Sequence, residues 1–513
     1  MSTISALDRR AFLTATGAAA FASLVASAMP ALADEPIAVP ETVEPAEVYD
    51  CDFCVVGAGF AGLSACIEAG EQGLSVIALE TTQLVGGGGR LGVEGSFGIE
   101  SSITKAQDLH LDPREVYAAE MVHSQWRASG QCWMDFMKQS GANIDWLIEH
   151  GVEFQPVVDN YHGGDFNTFH WYKDGQAAVG FVPPLEKAAL DLGTQFMFET
   201  TGKKLITNDE GAVCGIYAQK KDGTWIQVNA KAVMLSTGGV GSNPDILATM
   251  GYPKELLDCM FEAAQGYGYL MAKELGAMDM TKFTGDQAST FFPAFMKGQD
   301  NIFWGINANI VWINEHCQRF YPEDNSLVVL SNGNAQKLDQ KEVYAVWDTA
   351  AMENHEGVTG NYIGDIVNEA ADNTDGTLFR AETLEELPAF FGLDQDEFMA
   401  FIERYNALCA AGDDTEFGKA PEYLRPIEKG PFFIAKPGWL VYVICGGIGT
   451  NRDCQVITPT HEPIPGLYAG GVDGVMLYRN VYTIGTPGSC SGWCIYSGRK
   501  SVQHAIENII SKA

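Results

Sequence analysis

The chain has 513 residues, 46% of them hydrophobic and 19% charged, with 56 glycines; this is the composition of a globular, glycine-rich α/β protein long enough for several domains, not of a disordered or fibrous one. Its formal charge of −34 excludes a DNA- or RNA-binding surface, which needs clustered Lys and Arg to displace counterions from phosphates. The 12 cysteines include no Cys-x-x-Cys-His haem attachment and no four-ligand cluster pattern, and no metal site is expected.

In chain order, Leu7-Asp8-Arg9-Arg10-Ala11-Phe12-Leu13 opens an uncharged stretch through Met29 that ends in Ala31-Leu32-Ala33. This is the order of a twin-arginine export signal cleaved after Ala33. The apolar run is too short and too rich in Ala, Ser and Gly for a membrane anchor. Residues 1–33 are therefore expected to be a signal peptide, and the protein is expected in the periplasm or at the outer face of the cytoplasmic membrane, not integral to it. Twin-arginine export carries folded proteins, so a cofactor inserted before translocation is expected too. Residues 34–48 are rich in Pro and Glu and read as an extended linker, with the folded chain starting near Tyr49.

From there the periodicity predicts a strand over 52–56, a helix over 60–72 and a second strand over 75–79. Helices are predicted over 114–123 and 131–150, and a strand pair, 213–219 and 224–228, about the turn Lys221-Asp222-Gly223. A further buried strand is predicted over 231–236. From about Asp286 to Leu440 the text becomes aromatic and acidic, which marks an inserted second domain. Glycine-rich strand-turn patterns resume at 441, and a last helix is predicted over 491–509. Cys51 and Cys54 fall at the start of the first strand and Cys490 and Cys494 one helical turn apart. Both pairs read as small buried side chains, with a redox role as the alternative for the second.

Gly57-Ala58-Gly59-Phe60-Ala61-Gly62 lies between strand and helix, where a dinucleotide fingerprint needs glycines for a tight turn, close backbone approach to a pyrophosphate and helix-on-strand packing. Gly57, Gly59, Ala61 and Gly62 are the candidate phosphate residues. Glu80, 18 residues past Gly62, is the candidate acceptor for ribose hydroxyls. Three further segments point to FAD rather than NAD: Gly87, Gly88 and Gly89 after the second strand; Thr237, Gly238 and Gly239 after a buried strand; and Gly471 and Asp473, followed by Ser491 and Gly492 in the last helix. A second GxGxxG for a nicotinamide cofactor is missing.

The order of these motifs resembles the flavoprotein family of fumarate reductases and succinate dehydrogenases, which includes urocanate reductases and 3-ketosteroid dehydrogenases. The resemblance extends to Ile313-Asn314-Glu315 through Arg319-Phe320 and covers most of residues 50–513. It implies an α/β fold in which a Rossmann-type FAD-binding domain, 49–285 and 441–513, is split by an inserted α+β capping domain, 286–440, with substrate between cap and isoalloxazine. None of the 9 His falls between Glu80 and Glu100, where quinone-linked members attach FAD, so non-covalent FAD is expected.

Several family positions differ. Leu327 stands near the place of the proton-donating Arg, Val443-Ile444-Cys445-Gly446-Gly447 replaces His-Thr-Met-Gly-Gly, and Asp286 is the nearest counterpart of a substrate His. Two buried carboxylates without cationic partners are costly, so fumarate is not the expected substrate. Pro487-Gly488 is similar to the Pro-Gly turn of the steroid-dehydrogenase branch, with Thr486 where that branch has Tyr. The nearby loop supplies Tyr478, Arg479 and Tyr482 as candidate catalytic residues, since a phenol hydrogen-bonds a carbonyl or donates a proton; packing aromatics and an ion-paired Arg are the alternative. Phe291, Phe292, Phe295 and Trp304 are candidates for an apolar substrate wall or for core. The expected reaction is reduction of an activated C=C bond in an enone or aryl acrylate, with electrons from a separate membrane-linked cytochrome or flavoprotein. A 3-ketosteroid-type dehydrogenase and a non-catalytic flavin electron carrier are the alternatives.

Overall fold

Strand Glu47–Val56 is flanked on both sides by parallel strands, Val76–Leu79 and Trp225–Leu235, with Val56 opposite both Leu79 and Leu235. A strand covered in this way is buried on both faces, and Phe53, Cys54 and Val55 are fully enclosed. In this computed structural model the described residues are 39–512 except 162–163, 253–256, 260, 284, 293–303, 306, 328–335, 356–361, 373–375, 480 and 484; the expected export signal and residues 34–38 of the linker lie outside them. The sheet runs, in order, Gln455–Ile457, Pro463–Ala469, Trp225–Leu235, Glu47–Val56, Val76–Leu79 and Gln195–Met197, parallel except at Gln455–Ile457, with the hairpin Thr200–Thr207 and Val213–Lys220 joined to Trp225–Leu235.

Helix Phe60–Glu71 crosses from the first strand to the second, and its small residues leave it buried from Phe60 to Ala69. A Cβ on Gly62 would lie 2.0 Å from the Gly57 carbonyl oxygen, and one on Gly498 would lie 2.2 Å from the Ala61 carbonyl oxygen. The crossover helix is thus clamped between the sheet and the final helix, Ser489–Asn508, with no side chain between the backbones at either contact. Arg499 of the final helix adds a 2.7 Å ion pair to Glu68.

Two sequence expectations change. The first strand begins at Glu47, because residues 47–51 pair with 226–230 and Lys220 bonds Glu47 at 2.8 Å. The strands predicted separately over 224–228 and 231–236 are one strand, Trp225–Leu235, whose polar Asn229 is accommodated by donating its side chain to Asp50.

The chain divides into two compact units, one centred on Ala288–Leu440 and the other built from Leu32–Lys254, Asp258–Gln287 and Val441–Ala513. The smaller is α+β: an antiparallel sheet in the order Val311–Asn314, Val343–Asp348, Phe432–Ala435, Leu378–Ala381, with helices Ile363–Asp372 and Gln395–Ala411. Alternation along its strands sends Trp312, Ala345, Trp347 and Phe433 into one core and Val311, Ile313, Val346 and Ile434 into another. Phe292 and Trp304 belong to the first core, so they are packing residues rather than a substrate wall; Phe295 and the side chain of Phe291 lie outside the described residues. Arg319 is buried against Glu323 at 3.0 Å and Asp414 at 2.9 Å, with Lys419 at 3.2 Å from Glu323. The motif residue Arg319 therefore braces this unit from within.

Candidate functional site

The glycines of the Gly57–Gly62 turn separate by what surrounds them. Gly57 has φ +99° and a Cβ there would lie 2.3 Å from the Ser236 carbonyl oxygen; Gly62 is fixed by its contact with Gly57. Both are required by the protein's own packing. Gly59 is not: a Cβ there meets nothing closer than the Gly87 Cα at 3.9 Å. Gly59 also caps helix Phe60–Glu71 without any side-chain hydrogen bond, so no side chain caps the helix end beside this open space. A helix N-terminus beside an unfilled, glycine-walled space fits the pyrophosphate of a dinucleotide.

The other candidate cofactor residues assemble around this point in varying degrees. Glu80 is buried, one carboxylate oxygen accepting from the Ala58 N–H at 2.9 Å and the other from the N–H and hydroxyl of Thr82, each at 2.8 Å. Gly86 bridges Gly59 in parallel fashion, which brings Gly87 beside the turn. A Cβ on Gly89 would lie 2.6 Å from the Phe60 ring, and one on Gly88 3.2 Å from Phe261. Gly471, at φ +59°, would place a Cβ 3.0 Å from that of Ala61 and donates its N–H to Ser497. Asp473 accepts from the N–H and hydroxyl of Thr237 and from the Gly239 N–H, so it holds the 237–239 turn, where Gly238 and Gly239 have φ +92° and +82°. Burial pushes the Asp473 carboxyl up, against the pull of those donors. Ser491 is occupied by the carbonyls of Gly95 and Gly488, and Gly492 faces Phe136 and Phe97, so both serve the packing of the final helix.

In the 478–490 loop, Tyr478 is buried, donates its hydroxyl to Ser489 at 2.7 Å and packs edge-on to Trp133. The ring of Tyr482 packs against it at 4.4 Å, tilted by 39°, and its hydroxyl has no hydrogen-bond partner among the described residues. Burial holds both phenols well above their usual pKa, hence protonated. Arg479 reaches only the thioethers of Met280 at 3.5 Å and Met476 at 3.7 Å; its Nε is buried without a partner, no carboxylate pairs with it among the described residues, and burial lowers its pKa. The side chains of Asp286 and Leu327 lie outside the described residues. Tyr321, buried in the smaller unit, packs in its core. Among the described residues no group of His, Cys, Asp and Glu is arranged to hold a metal ion. A groove of about 640 Å³ between helix Gly130–Glu149 and the final helix is lined by ions already paired, such as Arg452 with Asp135 and Lys500 with Asp453, and lies apart from these motifs.

One residue escaped the sequence reading. Glu120, an unremarkable glutamate in helix Pro113–His123, is fully enclosed and accepts hydroxyl hydrogen bonds from Thr483, at 2.8 Å, and from Thr486. Burial pushes its carboxyl up to about 7, the threonine hydroxyls pull the other way, and Asp165 adds a smaller upward push. Its only sequence signal is its place on the otherwise apolar side of that helix, beside Val116 and Met121.

The sequence profile described as an FAD binding domain matches residues 52–483, most of the chain. The chain belongs to this family. FAD is thus the cofactor, and the protein is an FAD-dependent oxidoreductase of the reductase and dehydrogenase type. It is 30% identical to the vinyl phenol reductase of Lactiplantibacillus plantarum, over 89% of this chain and 96% of that protein. It is 29% identical to the urocanate reductase of Eggerthella lenta, over 92% of this chain and 77% of that one. Among solved structures the fold is similar to an open flavocytochrome c3 fumarate reductase, with a TM-score of 0.69 at 23% identity over 90% of this chain and 79% of that one. It is also similar to the 3-ketosteroid-delta4-(5alpha)-dehydrogenase of Rhodococcus jostii, with a TM-score of 0.66 at 22% identity over 91% and 98% of the two chains.

Two outcomes follow from this geometry. Gly59→Val has room to fold but fills the phosphate space, so it is expected to give native far-UV dichroism with no bound flavin absorbance, whereas Gly57→Val is expected to misfold. Glu120 binds its proton more tightly folded than unfolded. Its stabilising contribution is therefore complete below about pH 4.5 and is lost as the pH rises through about 7, some 3 kcal/mol in order of magnitude. Denaturation midpoints across that window are expected to fall with pH in the wild type and to flatten in Glu120→Gln.

Proposed function

We propose that the protein is an exported reductase of an activated C=C bond in an organic acceptor carrying at most one negative charge, of the aryl acrylate, vinyl arene or enone kind, and that fumarate is a poor substrate. The observation that carries this reading is the 478–482 loop, in which, among the described residues, one phenol has no hydrogen-bond partner and one buried cation has no carboxylate partner. A dicarboxylate asks for more cationic donors than that. The similarity to enzymes named for vinyl phenol and urocanate supports the same choice of acceptor.

Gly57–Gly62 would hold FAD non-covalently at its pyrophosphate, and the bound cofactor, once reduced, would supply hydride chemistry. Tyr482 donates the proton from its hydroxyl, which burial keeps protonated at neutral pH. Arg479 holds the electron-rich end of the acceptor, and Tyr478, Trp133 and Phe136 keep water out behind the loop. Glu120 positions the loop through Thr483 and Thr486. The electron donor is a separate membrane-linked cytochrome or flavoprotein, and the route out of the cytoplasm is the Arg9-Arg10 signal. Among the described residues no helix is long and apolar enough to cross a membrane.

Anaerobic reduction of the purified protein, followed by flavin reoxidation with aryl acrylates, vinyl phenols, enones and fumarate, tests the reading. Tyr482→Phe is expected to slow the best reaction by about 10²–10⁴, and Arg479→Met to raise KM most for acceptors with an acidic substituent. Acid denaturation is expected to release intact FAD. Rapid turnover of fumarate, or wild-type rates in Tyr482→Phe, would overturn the assignment; flavin reduction by a saturated ketone would reverse the direction.

A further inference from the structure

Three cysteines meet beside this loop. Cys445 ends strand Gly438–Cys445, and Cys490 and Cys494 lie one turn apart at the start of the final helix. The Sγ atoms of Cys445 and Cys490 are 4.0 Å apart, van der Waals contact, about 2 Å more than a disulfide bond. Cys445 is buried, while Cys490 and Cys494 are each partly exposed. The cysteines lie close to the cofactor turn: a Cβ on Gly471 would lie 3.5 Å from the Cys494 sulfur and 3.0 Å from the Ala61 Cβ.

We propose that Cys445 and Cys490 form a dithiol redox centre, which a small-molecule disulfide reaching the partly exposed Cys490 oxidises reversibly to a Cys445–Cys490 disulfide. Cys490 attacks first, since it is the accessible member and sits in the first turn of a 20-residue helix, where the N-terminal dipole favours a thiolate. Its sulfur bonds to one sulfur of the incoming disulfide, and the other leaves as a thiol carrying the proton. Cys445 then attacks the Cys490 sulfur of the mixed disulfide and expels the second thiol, so two protein thiols are oxidised as one small disulfide is reduced to two thiols. Cys494 shares a helix with Cys490, and the direction of its side chain is set by that helix; Cys445 arrives on a separate strand and closes onto Cys490 without unwinding it.

Thiol acidity agrees with this order. The neighbouring thiols of Cys445 and Cys494, as hydrogen-bond donors, hold Cys490 well below the usual thiol value, whereas burial pushes the isolated Cys66 up to about 12. Cys490 is also among the groups that raise the Tyr482 phenol, so closing the disulfide removes a negative charge that opposes ionisation of that phenol.

The test uses the FAD-loaded wild-type protein equilibrated anaerobically in glutathione buffers from fully reduced to fully oxidised, then trapped with iodoacetamide, digested and mapped by mass. The expected result is a Cys445–Cys490 cross-linked peptide that appears and disappears reversibly with the buffer and persists in Cys494→Ser. In Cys445→Ser, glutathione is expected to accumulate on Cys490 to one per chain. Complete alkylation of both thiols in the oxidised buffer, a stable glutathione adduct on Cys490 in the wild type, or a Cys490–Cys494 link would each overturn the proposal. The wild-type map decides even where a variant fails to fold. No organic acceptor is turned over, so failure here leaves the reductase reading standing.

Discussion

The Gly57 carbonyl oxygen occupies the place where any side chain on Gly62 would begin. That contact sets the crossover helix against the sheet more closely than any pair of side chains allows, and it puts the first turn of the helix directly beyond the end of the central strand. The same closeness recurs on the opposite side, where Gly498 approaches Ala61, and at Gly471, which nearly touches the Ala61 side chain. Three backbone segments from residues 57–62, 471 and 498 are therefore fixed to one another with almost no adjustable atoms between them. Polar N–H groups at a helix end are a usable anion site only if they are held in place before the ligand arrives. The glycines supply that rigidity, and their cost in chain entropy is borne where the site needs it.

Charge inside the protein is handled in two contrasting ways. Arg319 lies among Glu323 and Asp414, with Lys419 beside them, and every ion has a partner of opposite sign within about 3 Å. Such a cluster tolerates burial because each charge replaces lost water with a protein ligand. Arg479 has two thioethers, and Glu120 two hydroxyls; among the described residues neither has an opposite charge bonded to it. Desolvation then dominates, lowering the guanidinium and raising the carboxyl towards the range where a proton is exchanged at neutral pH. The contrast separates ions that brace the fold from ions whose burial is left uncompensated, the kind found at functional sites.

The strand-turn-helix-strand opening was legible in the sequence because three local signals coincide there: apolar runs, spaced glycines and an acid after the second strand. The site around the 478–490 loop was legible only by residue type. That loop has no periodicity, so nothing local distinguishes Tyr478, whose hydroxyl is spent on Ser489, from Tyr482, whose hydroxyl is not. Glu120 and Cys445 were harder still, since each acquires its meaning from partners more than 40 residues away, Thr483 and Thr486 in one case and Cys490 in the other. Strand Trp225–Leu235 was divided in two by a polar Asn229 whose partner, Asp50, lies 179 residues distant. Local sequence reports what a segment prefers, and tertiary contacts at such separations decide what it does.

Burial acts on the two donors of the 478–482 loop, Tyr482 and Arg479, in opposite directions. It raises the Tyr482 phenol, whose loss of a proton creates a charge, and lowers the Arg479 guanidinium, whose loss of a proton removes one. Their proton affinities are thereby brought closer together than in water. The two alternatives differ in what remains: donation by the phenol leaves an anion with a cation three residues away in the same loop, while donation by the guanidinium leaves two neutral groups and no electrostatic hold on the acceptor. In a dry site the first arrangement keeps the attraction that aligns the acceptor. In the proposed reaction Arg479 therefore serves by keeping its own proton and holding the acceptor, and the lack of a carboxylate beside it among the described residues is what leaves its charge available for that purpose.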